Sequence, residues 1–184
     1  MDWRVQPDAC TFMQAAQNFC SVVGNPSGEP CSWIKDVLLS TLALYAAGLA
    51  LSQLPMAEVS DREDESEGRM SMEQWKELYN RLSAFLGEKK WYATVDFETQ
   101  WTHQPQESLY GDLADDLADI YRDVMPGLRR WSSAGDEYLG NIVWDWQFHF
   151  AAHWGGDHAS VALGYLHYLV FSQKIAHEDK RLKT

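Results

Sequence analysis

The sequence predicts an all-α protein, a single-domain bundle of five to six helices with short connections. Apolar residues recur at helical spacing along most of the chain. Helix start and stop residues separate these stretches, and the one short β-like segment has no evident partner strand. The 184 residues, 46% of them hydrophobic, suffice for one sizeable core. We therefore assign residues 1–184 to one helical domain.

Two helices are predicted before the middle of the chain. Asp8 is the expected N-cap of the first helix, which ends at Gly24. The second lies in a stretch of 21 residues without a charge, Val37–Ala57, and ends at Pro55. Its length approaches that of a membrane span, but polar residues interrupt it, so we interpret it as a buried central helix.

A charged, solvated segment follows, and we expect a mobile acidic loop at residues 57–70. Ser71 and Gln74 form a capping box that opens a third helix, and Gly87 ends it. Residues 88–108 lose the helical period. The segment "WYATVDF" within them is interpreted as an irregular connection, because a single strand would have no partner.

Three helices are predicted in the C-terminal part. The first runs from about Ser108 to Met125, where Pro126-Gly127 breaks or kinks it. The second covers about Asp136–Trp154 and stops at Gly155-Gly156, and Asp157 caps the last helix. The first two should pack together. Five side chains should be largely buried: Trp75, Leu117, Ile120, Trp146 and Phe150.

Two stretches, "SLYGDLADDLADIYRDVMPGL" and "WDWQFHFAAHWGGDHASVALGYLHYL", together with the upstream "WYATVDF", resemble the bacterial family described as domain of unknown function 5063. The likeness covers about residues 71–170. It is most specific in "DLADDLADIYRD" and in the pattern from His153 to His167. The resemblance implies a small helical cytosolic bacterial protein. It implies no activity, and it assigns no functional residue.

The charge balance limits the partners that we expect. The net charge is −12, from 27 acidic and 15 basic residues. Nucleic acids and anionic membranes would repel such a surface, whereas a basic protein would be attracted to it. We expect a cytoplasmic protein that binds no nucleic acid and no membrane. Its oligomeric state does not follow from the sequence.

An acidic edge is the most distinctive feature of the predicted helix that follows Ser108. Asp112, Asp116, Asp119 and Asp123 are spaced four, three and four residues apart, so they share one side of a helix. Such an edge can be structural, because the helix dipole and neighbouring bases stabilise it. It can also bind a basic partner. We therefore expect a non-catalytic protein–protein interaction module that uses these four aspartates.

A metal site is the alternative interpretation of the same edge. Facing histidines from the next helix would complete a mixed nitrogen and oxygen ligand set of the kind that suits zinc, manganese or iron. That set is Asp112, Asp116, Asp119, His149 and His153. It would make the protein a divalent-metal-dependent hydrolase, similar to helical nucleotide pyrophosphatases.

The ligand patterns are incomplete, which favours the interaction module over the hydrolase. "HFAAH" has the HxxxH spacing but lacks the glutamate of HExxH. His158 follows the predicted glycine stop and lies outside the ligand set. The sequence thus assigns no catalytic residue and no cofactor, with a divalent metal ion as the alternative. We expect purified protein to contain well under one equivalent of metal.

Overall fold

The computed structural model describes residues 2–58, 68–94 and 109–181. These residues form six α-helices, one π-helix, two short 3₁₀ helices and one antiparallel hairpin. The α-helices are α1 (Pro7–Gly24), α2 (Pro30–Ser52), α3 (Met72–Leu86), α4 (Leu113–Trp131), α5 (Leu139–His149) and α6 (Ser160–Arg181). The π-helix (Phe150–Ala159) joins α5 to α6, and the hairpin pairs β1 (Trp91–Thr94) with β2 (Leu109–Asp112). The predicted all-α bundle is confirmed.

Helix α1 uses a different N-cap from the one that the sequence predicted. The side chain of Gln6, and not that of Asp8, caps the helix by accepting a hydrogen bond from Ala9 N at 2.7 Å. Pro7 occupies the first turn, where its ring suits the helical φ and its missing N–H breaks no bond. The helix therefore starts one residue before Asp8, which lies inside the first turn.

Helix α2 packs against α1 and α6 with one of its faces. Val37, Leu44 and Leu51 on that face are buried, while Leu39 and Leu42 on the other side are exposed. Among the described helices, α2 is the one long and apolar enough to cross a membrane by length and composition. Of its most apolar 18-residue stretch, 44% is buried inside the protein.

Helix α3 begins and ends as predicted. Ser71 Oγ accepts a hydrogen bond from Gln74 N, and the Gln74 side chain accepts one from Ser71 N, so the capping box is present. Gly87 closes the helix with φ +57°, a left-handed conformation that favours glycine. Trp75 is only half-buried, contrary to the prediction, because its indole reaches towards α4 at the edge of the core.

The hairpin corrects the interpretation of "WYATVDF" as an irregular connection. Strand β1 does have a partner, because the residues that immediately precede α4 are extended and pair with it: Trp91 lies opposite Asp112, and Tyr92 opposite Gly111. Gly111 permits the close approach, since a Cβ there would lie 2.5 Å from Cε2 of Tyr92. Residues 95–108, which include the end of that segment, lie outside the described residues.

Helix α4 continues through Pro126, where the sequence predicted a break. A proline inside a helix costs about 3 kcal/mol or more, and tertiary contacts offset this cost. Val124, Gly127 and Trp131 on the same stretch are buried. Trp146 from α5 stacks on Trp131 and donates its indole N–H to Val124 O at 3.2 Å. The contact with α5 thus holds α4 together beyond the proline.

The glycine pair 155–156 does not stop the fifth helix. The chain continues as a π-helix into α6, and Asp157 lies within it instead of capping a new helix. Gly155 makes the wide turn possible, because a Cβ at this position would meet the carbonyl oxygen and the ring of Phe150. The two expected helices are therefore one continuous helical stretch with a π-helical centre.

The core lies between α1, α2, α4, α5 and the π-helix. Four of the five side chains expected in it are buried: Leu117, Ile120, Trp146 and Phe150. Helices α4 and α5 pack against each other. Of the predicted acidic loop at 57–70, residues 59–67 lie outside the described residues.

We predict that Gly127→Ala lowers the free energy of unfolding by about 1–3 kcal/mol, the usual cost of overpacking a core. A Cβ on Gly127 would lie 2.5 Å from Cε2 of Trp146, which is held by Trp131 and cannot move aside. Gly164→Ala in α6 is the matched control, because a Cβ there meets nothing within 4 Å. Urea denaturation measures both, and equal stability of the two variants would contradict the prediction.

Candidate functional site

The aspartates of α4 face the interior of the protein. Asp116 is 6% exposed and Asp119 9% exposed, and the side chain of Asp123 is 7% exposed. Helix α3, the hairpin and the π-helix contribute the side chains that contact them. A basic partner that bound the predicted edge would need exposed carboxylates, whereas those of Asp116, Asp119 and Asp123 are buried.

Asp112 has a structural role at the start of α4. Its Oδ1 caps the helix by accepting a hydrogen bond from Ala114 N at 3.0 Å. Its Oδ2 accepts one from the Tyr79 hydroxyl at 2.9 Å and lies 3.1 Å from Lys90 Nζ. The hydrogen bonds to Tyr79 and Asp112 raise the pKa of Lys90. This end of α4 is thereby tied to α3 and to the turn before β1.

The π-helix brings His153 and His158 together. Residues five apart on an α-helix point about 140° away from each other, but the i→i+5 bonding of a π-helix aligns them. The two Nε2 atoms lie 3.2 Å apart. The pair therefore exists only because the chain adopts π geometry here.

Each of these imidazoles is held at its other nitrogen by a carboxylate of α4. Nδ1 of His153 lies 2.6 Å from Asp123 Oδ2, and Nδ1 of His158 lies 3.0 Å from Asp116 Oδ1. An ionised carboxylate only accepts hydrogen bonds, so both Nδ1 atoms donate. The lone pairs of the two neutral imidazoles then face each other at Nε2. That arrangement is repulsive unless a proton or a metal ion lies between them.

Asp119 is the third member of this cluster. Its Oδ2 lies 3.5 Å from Nε2 of His158. Its Oδ1 accepts a hydrogen bond from Trp75 Nε1 at 2.8 Å and lies 3.1 Å from Nη2 of Arg122. One oxygen of the carboxylate is thus occupied, and the other is turned towards the histidine pair.

Asp119, His153 and His158 have the separations of metal ligands. Metal bonds of about 2.0–2.1 Å at a tetrahedral angle place two ligand atoms about 3.3 Å apart. The Nε2–Nε2 distance of 3.2 Å and the Oδ2–Nε2 distance of 3.5 Å agree with this value. Ligand atoms of the three residues all lie within 4.8 Å of one another. Carboxylates on the far nitrogens of ligating histidines are also the usual outer partners of such ligands.

A second group, Asp123, His149 and His153, is less suited to a metal. The 2.6 Å between Asp123 Oδ2 and Nδ1 of His153 is a hydrogen-bond distance, and the shared proton occupies the nitrogen that a metal would need. His149 Nδ1 lies 3.6 Å from the same oxygen. We therefore assign Asp123 to orienting His153.

The predicted metal set is corrected accordingly. Asp119 and His153 belong to the cluster, but Asp112 caps a helix, Asp116 supports His158, and His149 lies in the second group. The sequence analysis missed His158 as a ligand because Gly155-Gly156 predicts that the helix ends before it. The available signal was the five-residue spacing from His153 to His158, which only a π-helix turns into proximity.

Charges around the cluster shift the pKa values of its members. Burial lowers the pKa of His158, but the carboxylates of Asp116, Asp119 and Asp115 outweigh it, so the pKa is raised. Burial and the charges of Asp119 and Asp116 raise the pKa of Asp115. Burial and the charge of Asp116 raise the pKa of Tyr92, whose hydroxyl donates to Asp116 Oδ2 at 2.6 Å.

The fold and the cluster define the chain as a small helical protein with a histidine–carboxylate group between packed helices. The chain belongs to the family described as domain of unknown function (DUF5063), which matches residues 4–172. This match extends beyond the residues 71–170 whose motifs resemble the family.

A solved structure supports the same fold. The crystal structure of protein BF1032 from Bacteroides fragilis is similar to this one with a TM-score of 0.71, at 22% sequence identity, over 88% of this chain and 91% of that chain. At this identity the likeness shows the fold alone. None of the curated proteins matches the chain.

We predict that Tyr92→Phe lowers the free energy of unfolding by about 1.5–3 kcal/mol, because it removes a hydrogen bond to a buried charged acceptor. Tyr92 is 8% exposed and its hydroxyl bonds to Asp116. Tyr110→Phe on the paired strand is the control, since Tyr110 is 83% exposed. Denaturation of both variants is the measurement, and a Tyr92→Phe protein as stable as the control would show that the bond contributes nothing.

Proposed function

We propose that this protein is a metal-dependent hydrolase in which Asp119, His153 and His158 hold a divalent transition-metal ion. One observation carries the proposal: Nε2 atoms of two histidines lie 3.2 Å apart while carboxylates hold both Nδ1 atoms. A cation between the Nε2 atoms removes the repulsion of their lone pairs. The neighbouring carboxylate oxygen of Asp119 supplies the third bond.

This ligand set is chemically suited to catalysis. Two imidazoles and one carboxylate are the ligands of several zinc hydrolases, which keep a further position for water. A metal ion in such a site lowers the pKa of its water towards neutrality and so supplies a nucleophile. Zinc, manganese and iron all accept mixed nitrogen and oxygen ligands. Trp75 and Arg122 hold the carboxylate of Asp119 in one orientation.

Asp115 is the best candidate for a general base beside this site. It lies one helical turn before Asp119 on α4 and is half-buried. Among the described residues its carboxylate forms no hydrogen bond or ion pair. Burial and the charges of Asp119 and Asp116 raise its pKa, and a raised carboxylate pKa suits proton transfer near neutral pH.

The partner-binding hypothesis has less support than the hydrolase. The carboxylates of Asp116, Asp119 and Asp123 would have to leave their hydrogen-bonded sites to reach a basic partner. Removing a buried carboxylate from its partners leaves uncompensated groups behind, which costs several kcal/mol. We therefore prefer the metal-dependent hydrolase to the interaction module.

We predict that the chelator-treated protein takes up about one equivalent of Zn²⁺ or Mn²⁺, measured by calorimetric titration and by elemental analysis after desalting. His153→Ala and His158→Ala should each abolish stoichiometric uptake, because two ligands do not hold the ion tightly. His167→Ala is the control, since His167 is exposed on α6. Uptake by the two variants equal to that of wild type would refute the metal site.

We predict that metal-loaded protein hydrolyses activated esters, tested with p-nitrophenyl phosphate and p-nitrophenyl acetate, and that chelation stops the reaction. Asp115→Asn should keep the metal and lower kcat about 10²–10⁴-fold, the usual contribution of a general base. Asp157→Asn, at an exposed position of the π-helix, should have no effect.

An unchanged kcat in Asp115→Asn would remove Asp115 from the mechanism. Iron-dependent oxygen consumption without ester hydrolysis would replace the hydrolase with an oxidation enzyme, because two histidines and one carboxylate are also the ligands of non-haem iron oxygenases.

A further inference from the structure

Helix α2 has an apolar face that the described fold leaves open to solvent. Leu39, Leu42 and Leu49 point away from the core and are 54%, 52% and 45% exposed. Helix α1, which packs beside α2, has the polar outer face that is usual for a surface helix, formed by Gln14, Gln17, Asn18 and Ser21. The charge-free stretch Val37–Ala57 thus supplies two apolar surfaces, one in the core and one outside it.

The outer row of α2 has the spacing of a coiled-coil seam. Its members are exposed and follow one another at intervals of four, three, four, three and four residues: Lys35, Leu39, Leu42, Ala46, Leu49 and Gln53. The inner row has the same alternation and is buried in the core: Val37, Thr41, Leu44, Gly48 and Leu51. This alternation keeps side chains on one stripe, where a second helix packs at a small crossing angle. The outer row is therefore suited to another helix.

We propose that the outer row binds α2 of a second copy of this protein, so that the two copies form an antiparallel, two-fold symmetric dimer. Two-fold contacts use the same surface on both copies, which must be complementary to itself. An axis at the level of Leu44 meets this condition. It places Leu39 opposite Leu49 of the second copy, and Leu42 opposite Ala46 of the second copy.

The side chains that face each other in this register differ in size near the axis. Leu42 meets the small Ala46, so each leucine enters the space that an alanine leaves, as knobs enter holes in a coiled coil. Further from the axis, Leu39 and Leu49 form a layer of two large apolar side chains at each end. The row is thus complementary to its own reversed copy.

The polar residues at the two ends of the row select the antiparallel direction. Lys35 lies opposite Gln53 of the second copy, whose side-chain oxygen can accept a hydrogen bond from the ammonium group. A parallel pair would instead bring the two Lys35 ammonium groups together in the seam, where like charges repel. The antiparallel pair is therefore the favoured one.

The net charge of −12 on each copy does not oppose the contact. The row carries no charge between Lys35 and Gln53, and Asp36 lies at the level of the uncharged Ser52 of the second copy. The same net charge disfavours an anionic membrane as the occupant. Interfacial helices are rich in basic residues, whereas Lys35 is the single basic residue of α2.

The size of the contact sets the expected strength of the dimer. At 1.5 Å per residue the row is about 27 Å long. A contact between two helices of this length is at the small end of specific interfaces, which bury about 800 Å² per partner at standard size. We expect a dissociation constant in the micromolar range. The metal cluster takes no part in the contact, so the dimer is independent of the proposed hydrolase.

The test is sedimentation velocity of the full chain from about 1 µM to 1 mM, a range that brackets a micromolar dissociation constant. The sedimenting mass should rise from that of a monomer towards that of a dimer. Leu42→Glu should weaken association about a hundredfold or more, because both copies bring a new carboxylate into an apolar seam. Met72→Glu is the matched control, since Met72 is 55% exposed and lies on α3.

A mixing experiment tests the register. Leu42→Glu and Ala46→Lys should each weaken association. In the antiparallel pair, an equimolar mixture of the two variants places the new carboxylate opposite the new ammonium group. The mixture should therefore associate about tenfold more tightly than either variant alone.

Three results would overturn the proposal: a monomer at every concentration, equal association of Leu42→Glu and Met72→Glu, or no gain in the mixture. Binding of the wild-type monomer to phosphatidylcholine–phosphatidylserine vesicles, lost in Leu42→Glu, would replace the second copy with a membrane. Should Leu42→Glu lose its far-UV circular dichroism, Leu49→Glu takes its place under the same criterion.

Discussion

The contacts between the carboxylates of α4 and the histidines of the π-helix are the constraint on which this structure depends. A carboxylate as buried as that of Asp116 is tolerated only when hydrogen bonds compensate for the lost water. Tyr92 and His158 supply that compensation from two different elements. The hairpin, α4 and the π-helix must therefore adopt their positions together, and a displacement of any one leaves a buried charge without partners.

The π-helix is the second part of this constraint. Its wide turn is rarer than an α-helical turn and is frequently found at functional sites. Here it aligns His153 with His158. Trp154, which follows His153 in the sequence, is buried in the core. Gly155 is required because any side chain would meet Phe150. An α-helix through the same residues would point His153 and His158 about 140° apart and so separate them.

The sequence predicted correctly the structural features that depend on residues close together along the chain. The capping box of Ser71 and Gln74 and the amphipathic face around Leu117 lie within a few residues, and both were predicted correctly. The features that were missed depend on distant partners. Strand β1 needs β2, beyond the connecting residues 95–108, and the helix through Pro126 needs Trp146 of α5. Helical spacing also showed that the aspartates share one side, but a helical period does not tell an acidic surface from a buried ligand face.

Arg122 links two of the carboxylates that α4 contributes to the cluster. Its guanidinium lies 3.1 Å from Asp119 Oδ1 and 3.8 Å from Asp123 Oδ1. Trp75 Nε1 also donates a hydrogen bond to Asp119 Oδ1 at 2.8 Å, so Oδ2 is the oxygen that remains for His158, at 3.5 Å. Asp123 in turn holds Nδ1 of His153. The guanidinium of Arg122 thus stabilises one proposed metal ligand directly and, through Asp123, the carboxylate that orients another.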